Sequence, residues 1–253
     1  GEAEAVEQAA IRFANLAAGQ MRGVSGALRL TTNELVASAM VIPALGAFRQ
    51  VCPDIQVDLV ITDATLDLAN GEADLAIRTS QALAPSDLVA RKICDHDSAL
   101  YCSREYAARR GVPASLDELR DHDLIDVSRD MSNMPSASWM MRHSRGKEPV
   151  TRSNSLAGLV HAVKAGLGIG ALPCAIGDPD RDFVRCSDVI EEARASSWIV
   201  TRRDLKDTPR VRAFIDFMAP YLQQEARKAE ERGRRRLAEE AATVVPFPTK
   251  TAS

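Results

Sequence analysis

Residues 28–35 read LRLTTNEL, and this short stretch changes from one pattern to another. Apolar and polar residues alternate as far as Thr31, which is typical of a strand. The apolar residues over 34–50 then follow a helical spacing. Thr31, Thr32 and Asn33 therefore place three hydrogen-bonding side chains where a strand becomes a helix. They either cap the helix or, together with its unpaired N–H groups, bind an anion.

The same change of pattern recurs along the chain and indicates the fold class. Strands are predicted at 27–31, 55–62, 74–79, 88–93, 98–103, 124–128, 150–155, 169–173, 183–187 and 196–203. Helices are predicted at 34–50, 66–73, 104–111, 115–122, 156–166 and 208–224. Because strands and helices alternate almost throughout, we expect an α/β protein with parallel sheets covered by helices.

Both ends of the chain differ from this alternating region. Residues 2–21 have helical spacing and predict either a surface helix or a connector that pairs with a second copy. From residue 225 the chain is almost entirely charged residues and alanine, which predicts a solvated helix or a frayed extension. Interleaved glutamates favour a solvated face over a nucleic-acid contact for the arginine cluster Arg232, Arg234, Arg235 and Arg236. Residues 244–253 are predicted to be disordered.

Composition excludes several classes of protein. The chain has 253 residues, enough for one large domain or two small ones, and a formal net charge of -3, whereas a free-standing DNA-binding domain is usually basic. Aromatic residues are only 4%, too few for a base-stacking platform. The five cysteines include no CxxC pair, so buried reduced thiols are expected. The acidic first ten residues lack the apolar core of a signal peptide, and no run approaches the roughly 20 apolar residues of a membrane span.

Motifs for catalysis or cofactor binding are weak. GLGIG at 166–170 follows a helix and precedes a strand, the reverse of a dinucleotide-binding loop, so its glycines are expected to end the helix and form a tight turn. No HxxxH or HExxH occurs among His96, His122, His143 and His161. The polar cluster Asp95-His96-Asp97 is predicted to be a surface turn rather than a proton-transfer site. We therefore expect no catalytic residue, no cofactor and no metal site.

Five stretches form a recognisable series over about residues 5–224. They are EQAAIRFANLAAGQMRGVSGALRLTT, PALGAFRQVCPDIQVDLV, DLANGEADLAIR, AVKAGLGIGALP and TPRVRAFIDFM. Each motif alone is loose, but five in the right order are fairly specific. Together they resemble the effector-binding domain of LysR-type transcriptional regulators. The first stretch resembles the end of that family's dimerising linker helix followed by the first strand of the domain.

The resemblance implies two Rossmann-like subdomains with a central cleft, as in type 2 periplasmic binding proteins. The chain would cross between them near Asp97 and near Ser197. The implied divisions are a partial linker helix at 1–24, subdomain I at 25–97 and 198–224, subdomain II at 98–197, and a charged, partly disordered tail at 225–253. The family's winged helix-turn-helix should stand before the linker helix. It is expected to be missing here, because Gly1 already falls inside that helix.

The resemblance also implies an effector site in the cleft, where open α/β sheets bind ligands outside the carboxyl ends of their strands. The residues expected to bind the effector are Thr31, Thr32, Asn33, Asp63, Arg78, Ser128, Arg129, Asn154 and Ser155. The family's effectors are typically small molecules, often carboxylates, and Arg78 or Arg129 could pair with one. For any single residue, a purely structural role such as capping is equally acceptable. Asp63 would repel an anion and favour a hydroxyl or an amine.

These features predict an effector-sensing and oligomerisation domain of a LysR-type regulator, not an enzyme. An effector would shift the subdomains, and a dimer or tetramer would pass this change to the DNA readers. DNA would be bound only through the absent N-terminal domain, and the protein is expected to be cytoplasmic, with no membrane partner. Two alternatives stay open: a solute-binding protein of the same fold and, less favoured, a small-molecule enzyme.

Overall fold

The structure is a computed structural model that describes residues 24–81, 87–132 and 134–243. Its strands are β1 Gly26–Thr32, β2 Ile55–Ile61, β3 Leu75–Ser80, β4 Leu88–His96, β5 Ser98–Ser103, β6 Ile125–Val127, β7 Thr151–Ser153, β8 Gly170–Pro173, β9 Phe183–Arg185 and β10 Ala195–Arg202. Its helices are α1 Glu34–Val51, α2 Arg104–Arg110, α3 Pro135–His143, α4 Leu156–Lys164, α5 Cys174–Gly177 and α6 Pro209–Thr243. Short 3₁₀ turns occur at Leu116–Asp121, Arg129–Met131 and Glu191–Ala193. The predicted α/β class is confirmed.

Five strands form the first sheet, in the spatial order β2-β1-β3-β10-β4. β1 runs parallel to β2 and β3, whereas β10 runs antiparallel to β3 and β4. α1 and α6 pack on this sheet, and the ring of Phe48 lies 5.4 Å from the rings of both Phe214 and Phe217. We call this sheet, α1 and the part of α6 that packs on it subdomain I.

The remaining strands form a second unit around β5. β5 lies between β8 and β9 and is antiparallel to both, while β6 and β7 form a parallel pair. A single bridge between Leu124 and Ile169 joins these two groups. Tyr101, Phe183 and Trp139 are buried in the cores of this unit. We call these strands together with α2, α3, α4 and α5 subdomain II.

The prediction of parallel sheets is wrong for β10 and for β5 with its neighbours. The chain enters β10 from subdomain II, so this strand runs against β3. Antiparallel neighbours need no crossover helix between them. The alternation of strand and helix therefore indicated the class correctly but not the direction of every strand.

The chain passes between the subdomains twice. It leaves β4 at His96 and enters β5 at Ser98, and it returns into β10 at Ala195. The two crossings lie side by side, because Ala195 pairs with His96 and the Arg194 guanidinium is 2.8 Å from the Asp97 carboxylate. The domain boundaries drawn from the sequence stay predictions.

α1 is an apolar helix with an irregular turn. A π-type turn at Ala37–Val41 stands just before Pro43, which has no N–H to donate, and the wider turn accommodates that loss. With a mean hydropathy of 1.2 over 18 residues, α1 is long and apolar enough to span a membrane by composition. However, Val41 and Phe48 are buried in the core of subdomain I. One face of α1 therefore packs in the core, while the rest of the helix is partly or fully exposed.

Residues 66–73 do not form the predicted helix. The Asp67 carboxylate accepts hydrogen bonds from the N–H groups of Ala69 and Asn70 at 2.8 and 3.2 Å, and Gly71 has a φ of +80°. Such local bonds and a left-handed glycine favour a turn over a helix. Conversely, the sequence pattern did not indicate α3 or the four-residue α5.

α6 is longer than the sequence pattern predicts. A helix was expected over 208–224, but the structure continues it through Pro220 to Thr243. The first part of the predicted tail is therefore helical. Two predicted segments, the helix at residues 2–21 and the disordered end at 244–253, lie outside the described residues.

The GLGIG segment turns the chain from α4 into β8. α4 ends at Lys164, and Gly166 has a φ of +76°, which confirms the predicted helix end and turn. A Cβ added at Gly168 would lie 2.3 Å from the carbonyl oxygen of Asp123. Gly168 therefore allows a close approach of two backbone segments.

Replacing Gly168 by alanine should lower the free energy of unfolding by roughly 1–3 kcal/mol, because the new methyl group collides with backbone. The control is Gly46→Ala in α1, where the added Cβ would have no atom from another part of the fold within 4 Å. Alanine inside a helix should raise stability there by about 0.5–1 kcal/mol. Urea unfolding followed by circular dichroism measures both. Equal midpoints for the two variants would contradict the close approach at Gly168.

Candidate functional site

A cavity of about 620 Å³ lies between the two subdomains. The carboxyl end of β1, the end of β3 and the loop after β2 form one wall, and the loop between β7 and α4 contributes to the other. Seven of the residues predicted to bind an effector line it: Thr31, Thr32, Asn33, Asp63, Arg78, Asn154 and Ser155. This is the edge at which open α/β sheets bind ligands.

Asn33, rather than Thr31 or Thr32, caps α1. Its side-chain oxygen accepts a hydrogen bond from the Val36 N–H at 2.8 Å. Thr31 and Thr32 are only 4% and 3% exposed. Among the described residues, the Thr32 hydroxyl has no hydrogen-bond partner. A buried hydroxyl without a partner is unfavourable, and this one belongs to a residue that lines the cavity.

The N-terminus of α4 has polar groups from both walls of the cavity beside it. The Ser155 hydroxyl accepts a hydrogen bond from the Gly158 N–H at 3.3 Å. Asp63, from the opposite wall, lies near the Leu156 N–H and the Ser155 hydroxyl. Burial raises the pKa of Asp63, and the influence of these two donors partly offsets the rise. A carboxylate of subdomain I thus lies beside a helix N-terminus of subdomain II, where the partial positive charge favours it.

Leu35 makes a second contact across the cavity. It belongs to the first turn of α1, in subdomain I, yet it packs against the hydrophobic core of subdomain II. Apolar burial and the Asp63 contact therefore act together to hold the two walls in the observed arrangement.

Arg78 is the one arginine or lysine among the described residues that line the cavity. Its guanidinium donates to the carbonyl oxygen of Leu66. Burial lowers the pKa of Arg78 and the charge of Asp67 partly restores it, but arginine stays protonated at neutral pH. Three acidic residues line the same cavity: Glu34, Asp63 and Asp130. Negative side chains therefore outnumber positive ones around the ligand space.

Ser128 and Arg129 are not among the residues that line the cavity. The Arg129 side chain is 82% exposed and pairs with Glu148 at 3.6 Å. The Ser128 N–H donates to the carbonyl oxygen of Ser153 at 2.8 Å, and its hydroxyl donates to the Asp130 carboxylate. The expectation that Arg129 pairs with a bound carboxylate is thus not met, because its partner comes from outside the cleft.

His96 lines the cavity, although its segment was predicted to be a surface turn. That prediction is wrong, because β4 continues beyond 93 and includes both Asp95 and His96. The His96 Nε2 lies 2.6 Å from the Ser197 hydroxyl oxygen, which lies 2.9 Å from that of Thr79. Burial lowers the pKa of His96, so the ring is neutral at pH 7.

Ser197 and His96 are within the hydrogen-bonding distance of a nucleophile and its base, but Ser197 does not face the cavity. Ser197 is 4% exposed and is absent from the cavity lining. A nucleophilic hydroxyl must reach the reacting atom of a substrate. Within the described parts of the chain, no three His, Cys, Asp or Glu side chains are placed to hold a metal ion.

Part of the cavity wall comes from residues that sequence reasoning did not single out. The 3₁₀ turn at Arg129–Met131 and the start of α3 bring Asp130, Met131 and Met134 to the cavity. The available signal was Pro135, since proline is common in the first turn of a helix. These side chains give the cavity apolar surface beside the polar strand ends.

Two α/β subdomains around a central cleft have the fold of the type 2 periplasmic binding proteins. The family model described as "LysR substrate binding domain" matches residues 21–223. The chain belongs to this family, and the resemblance identified from its sequence motifs is confirmed.

Named relatives agree with this assignment. The chain is 31% identical over 225 residues to an HTH-type transcriptional regulator of Xanthomonas campestris pv. campestris (strain 8004), covering 83% of this chain and 63% of the relative. It is 27% identical over 199 residues to the HTH-type transcriptional activator TtdR of Escherichia coli (strain K12), covering 76% of this chain and 63% of the relative. The chain thus spans less than two thirds of the length of these relatives.

Solved structures show the same fold. The regulatory domain of CrgA, a LysR-type transcriptional regulator from Neisseria meningitidis, matches with a TM-score of 0.67 and 22% identity, covering 79% of this chain and 100% of that one. The AmpR effector binding domain from Citrobacter freundii matches with a TM-score of 0.61 and 20% identity, covering 79% and 100%. At these identities the likeness supports the fold alone.

Thr32→Val should leave the free energy of unfolding of the ligand-free protein unchanged or raise it by up to about 1 kcal/mol, because it removes a buried hydroxyl that lacks a partner. The matched control is Thr201→Val. The Thr201 hydroxyl donates to the Asp74 carbonyl at 2.7 Å, so its loss should lower stability by about 1 kcal/mol or more. Chemical denaturation compares the two. An equal loss at both positions would mean that the Thr32 hydroxyl is already hydrogen-bonded.

Proposed function

We propose that this chain senses a small-molecule effector for a LysR-type transcriptional regulator. The observation that carries the proposal is the cavity of about 620 Å³ between the subdomains, a size typical of small-molecule sites. Support also comes from relatives that are named HTH-type transcriptional regulators. In this proposal the full regulator is cytoplasmic and binds DNA through its helix-turn-helix domain. This chain contributes the effector site and self-association into a dimer or tetramer.

We assign the effector site to one residue set on each wall of the cavity. Thr31, Thr32, Asn33, Asp63 and Arg78 belong to the wall of subdomain I. Asn154 and Ser155 belong to the wall of subdomain II. Ser128 and Arg129 are left out because they do not line the cavity.

The charges around the cavity favour an effector with an amine or a hydroxyl over one with several carboxylates. The N-terminus of α1 already has an acceptor in Asn33, and that of α4 has one in Ser155, with the Asp63 carboxylate nearby. A single carboxylate can pair with Arg78, and an ammonium group can pair with Asp63. A second carboxylate would meet the repulsion of Glu34 or Asp63. The site therefore fits a molecule that carries one carboxylate and one amine.

The proposed mechanism is a shift between cleft geometries. Asp63 and Leu35 join the two walls in the observed arrangement. An effector that binds Asp63 either weakens or reinforces the contact between Asp63 and α4. It thereby favours one arrangement of the subdomains over another. Only an effector with different affinities for the two arrangements would change the regulator.

The effector class can be tested with matched sets of acids that share a carbon skeleton and differ at carbon 2. We expect the 2-amino acids to stabilise the protein most in thermal shifts, then the 2-hydroxy acids, then the unsubstituted acids. Asp63→Asn should weaken binding of the amino member about 10- to 100-fold, because it removes the charge opposite the ammonium group. The control Asp58→Asn changes an exposed acid on β2 outside the cavity and should have no effect.

Two outcomes would contradict this assignment. One is stronger stabilisation by unsubstituted acids or dicarboxylates than by amino acids. The other is unchanged affinity in Asp63→Asn. NMR of the bound compound after prolonged incubation separates sensing from catalysis, since a sensor releases the compound unchanged.

Self-association can be tested by light scattering at high protein concentration. If residues 1–24 are linker helix, the whole chain should form a dimer, and a chain that starts at Ser25 should dissociate more readily because it lacks the helix. Monomers in both samples would rule out a dimerising role for this segment.

A further inference from the structure

The second half of α6 lies beyond the region that defines the family. The family match ends at residue 223, whereas α6 continues to Thr243. The first half of α6 belongs to the core of subdomain I through residues such as Phe214 and Leu222. Residues 225–243, here called the strap, extend from there onto subdomain II.

One face of this helix carries residues at alternating spacings of four and three, as packed helices do. They are Leu222, Ala226, Ala229, Gly233, Arg236 and Glu240. Four of them, Leu222, Ala226, Gly233 and Arg236, are buried. A Cβ added at Gly233 would lie 2.8 Å from the Cβ of Asp178, so the helix touches subdomain II closely at this point. This face of the strap is docked, not solvated.

Arg236 anchors the strap. It is 6% exposed, so the prediction of a wholly solvated arginine cluster is wrong at this residue, although the other three arginines are exposed. Its guanidinium donates to the carbonyl oxygens of Asp180 and, at 3.4 Å, of Phe183, and it pairs with Glu240 at 2.8 Å. Glu240 also pairs with Arg104 of α2. A buried guanidinium needs such partners, so the contact is specific to this docked position.

α6 runs beside β4, the strand that leads to the first crossing between subdomains, from Gln223 into the strap. The Gln223 amide donates to the carbonyl oxygen of Lys92 on β4 at 3.3 Å. Burial, with the nearby charge of Glu230, raises the pKa of the Cys94 thiol on the same strand to about 12. β4 ends just before Asp97. α6 therefore adds a third link, held by side chains, to the two covalent crossings.

We propose that the strap holds the two subdomains at a set angle and so controls the width of the cleft. Two neighbouring crossings allow rotation of the subdomains, as in hinge closure. A third attachment at the segment 178–183 opposes that rotation, and a change of cleft width requires the strap to slide or detach. The consequence for effector response rests on the proposed function, whereas the restraint itself is measured without any ligand.

Amide hydrogen exchange of the whole ligand-free chain tests the restraint. Arg236→Ala removes the anchor, with exposed Arg234→Ala as its control. Gly233→Leu places a side chain against Asp178, with exposed Ala238→Leu as its control. Leucine is a better helix former than glycine, so lost protection in this variant cannot come from a weaker helix.

Three segments report the outcome. In both variants, we expect the rate of amide exchange to rise about tenfold or more at 178–185, where the strap docks, and at the cleft walls 62–66 and 153–156. Neither control should show this rise. β1, at 26–32, should stay protected.

Three results would overturn the proposal. Unchanged exchange at 178–185 in both variants would mean that the strap is not docked. A rise there with cleft walls that match the controls would mean that the strap does not act on the cleft. A uniform rise that includes β1 would indicate general destabilisation instead of a restraint between subdomains. These results are interpreted in the same way whether or not an effector is found, because the experiment uses no ligand.

Discussion

Two helices begin at the cleft. The first N–H groups of each helix have no backbone carbonyl within the helix to accept their hydrogen bonds. α1 solves this locally through Asn33, whose side chain reaches Val36. α4 is capped by Ser155, and Asp63 of the opposite subdomain lies beside the same N-terminus. The partial positive charge of this helix end attracts the carboxylate across the cleft. Burial raises the pKa of Asp63 and the donors at this helix end lower it, so both affect the charge that a ligand meets.

Features whose partners lie within a few residues were predictable from the sequence. The helix start after Asn33, the start after Ser155 and the turn at Gly166 follow from local spacing, and the strand ends then place the cleft. Arg129 and His96 were misjudged because their partners, Glu148 and Ser197, are distant in sequence or belong to another strand. The direction of β10 also depends on a return from the other subdomain, which no local pattern records.

The strap shows a different limit of sequence reasoning. The sequence pattern predicted that the strap is helical, but it did not predict which face is buried. The buried face carries small and charged residues, whereas a buried helix usually carries large apolar ones. Gly233 is unfavourable in a helix by about 1 kcal/mol relative to alanine, and an arginine reads as solvated. The contacts with Asp178, Asp180 and Phe183 explain why a glycine occupies position 233 and why an arginine is buried at position 236. A stripe of small residues at helical spacing is therefore a docking signal that hydrophobicity alone misses.

In the two proposals above, Asp63 and the strap act on the same equilibrium between cleft geometries. An effector can shift this equilibrium only by its difference in affinity between the two states. If the strap restricts the accessible angles, less conformational entropy is lost when the effector selects one of them. The Asp63 contact works in the other direction, because an ammonium group that pairs with this carboxylate must compensate for the attraction that Asp63 loses at α4. In the proposed mechanism, a restraint outside the cavity and a competition inside it therefore set the response of the domain, and only the second depends on effector chemistry.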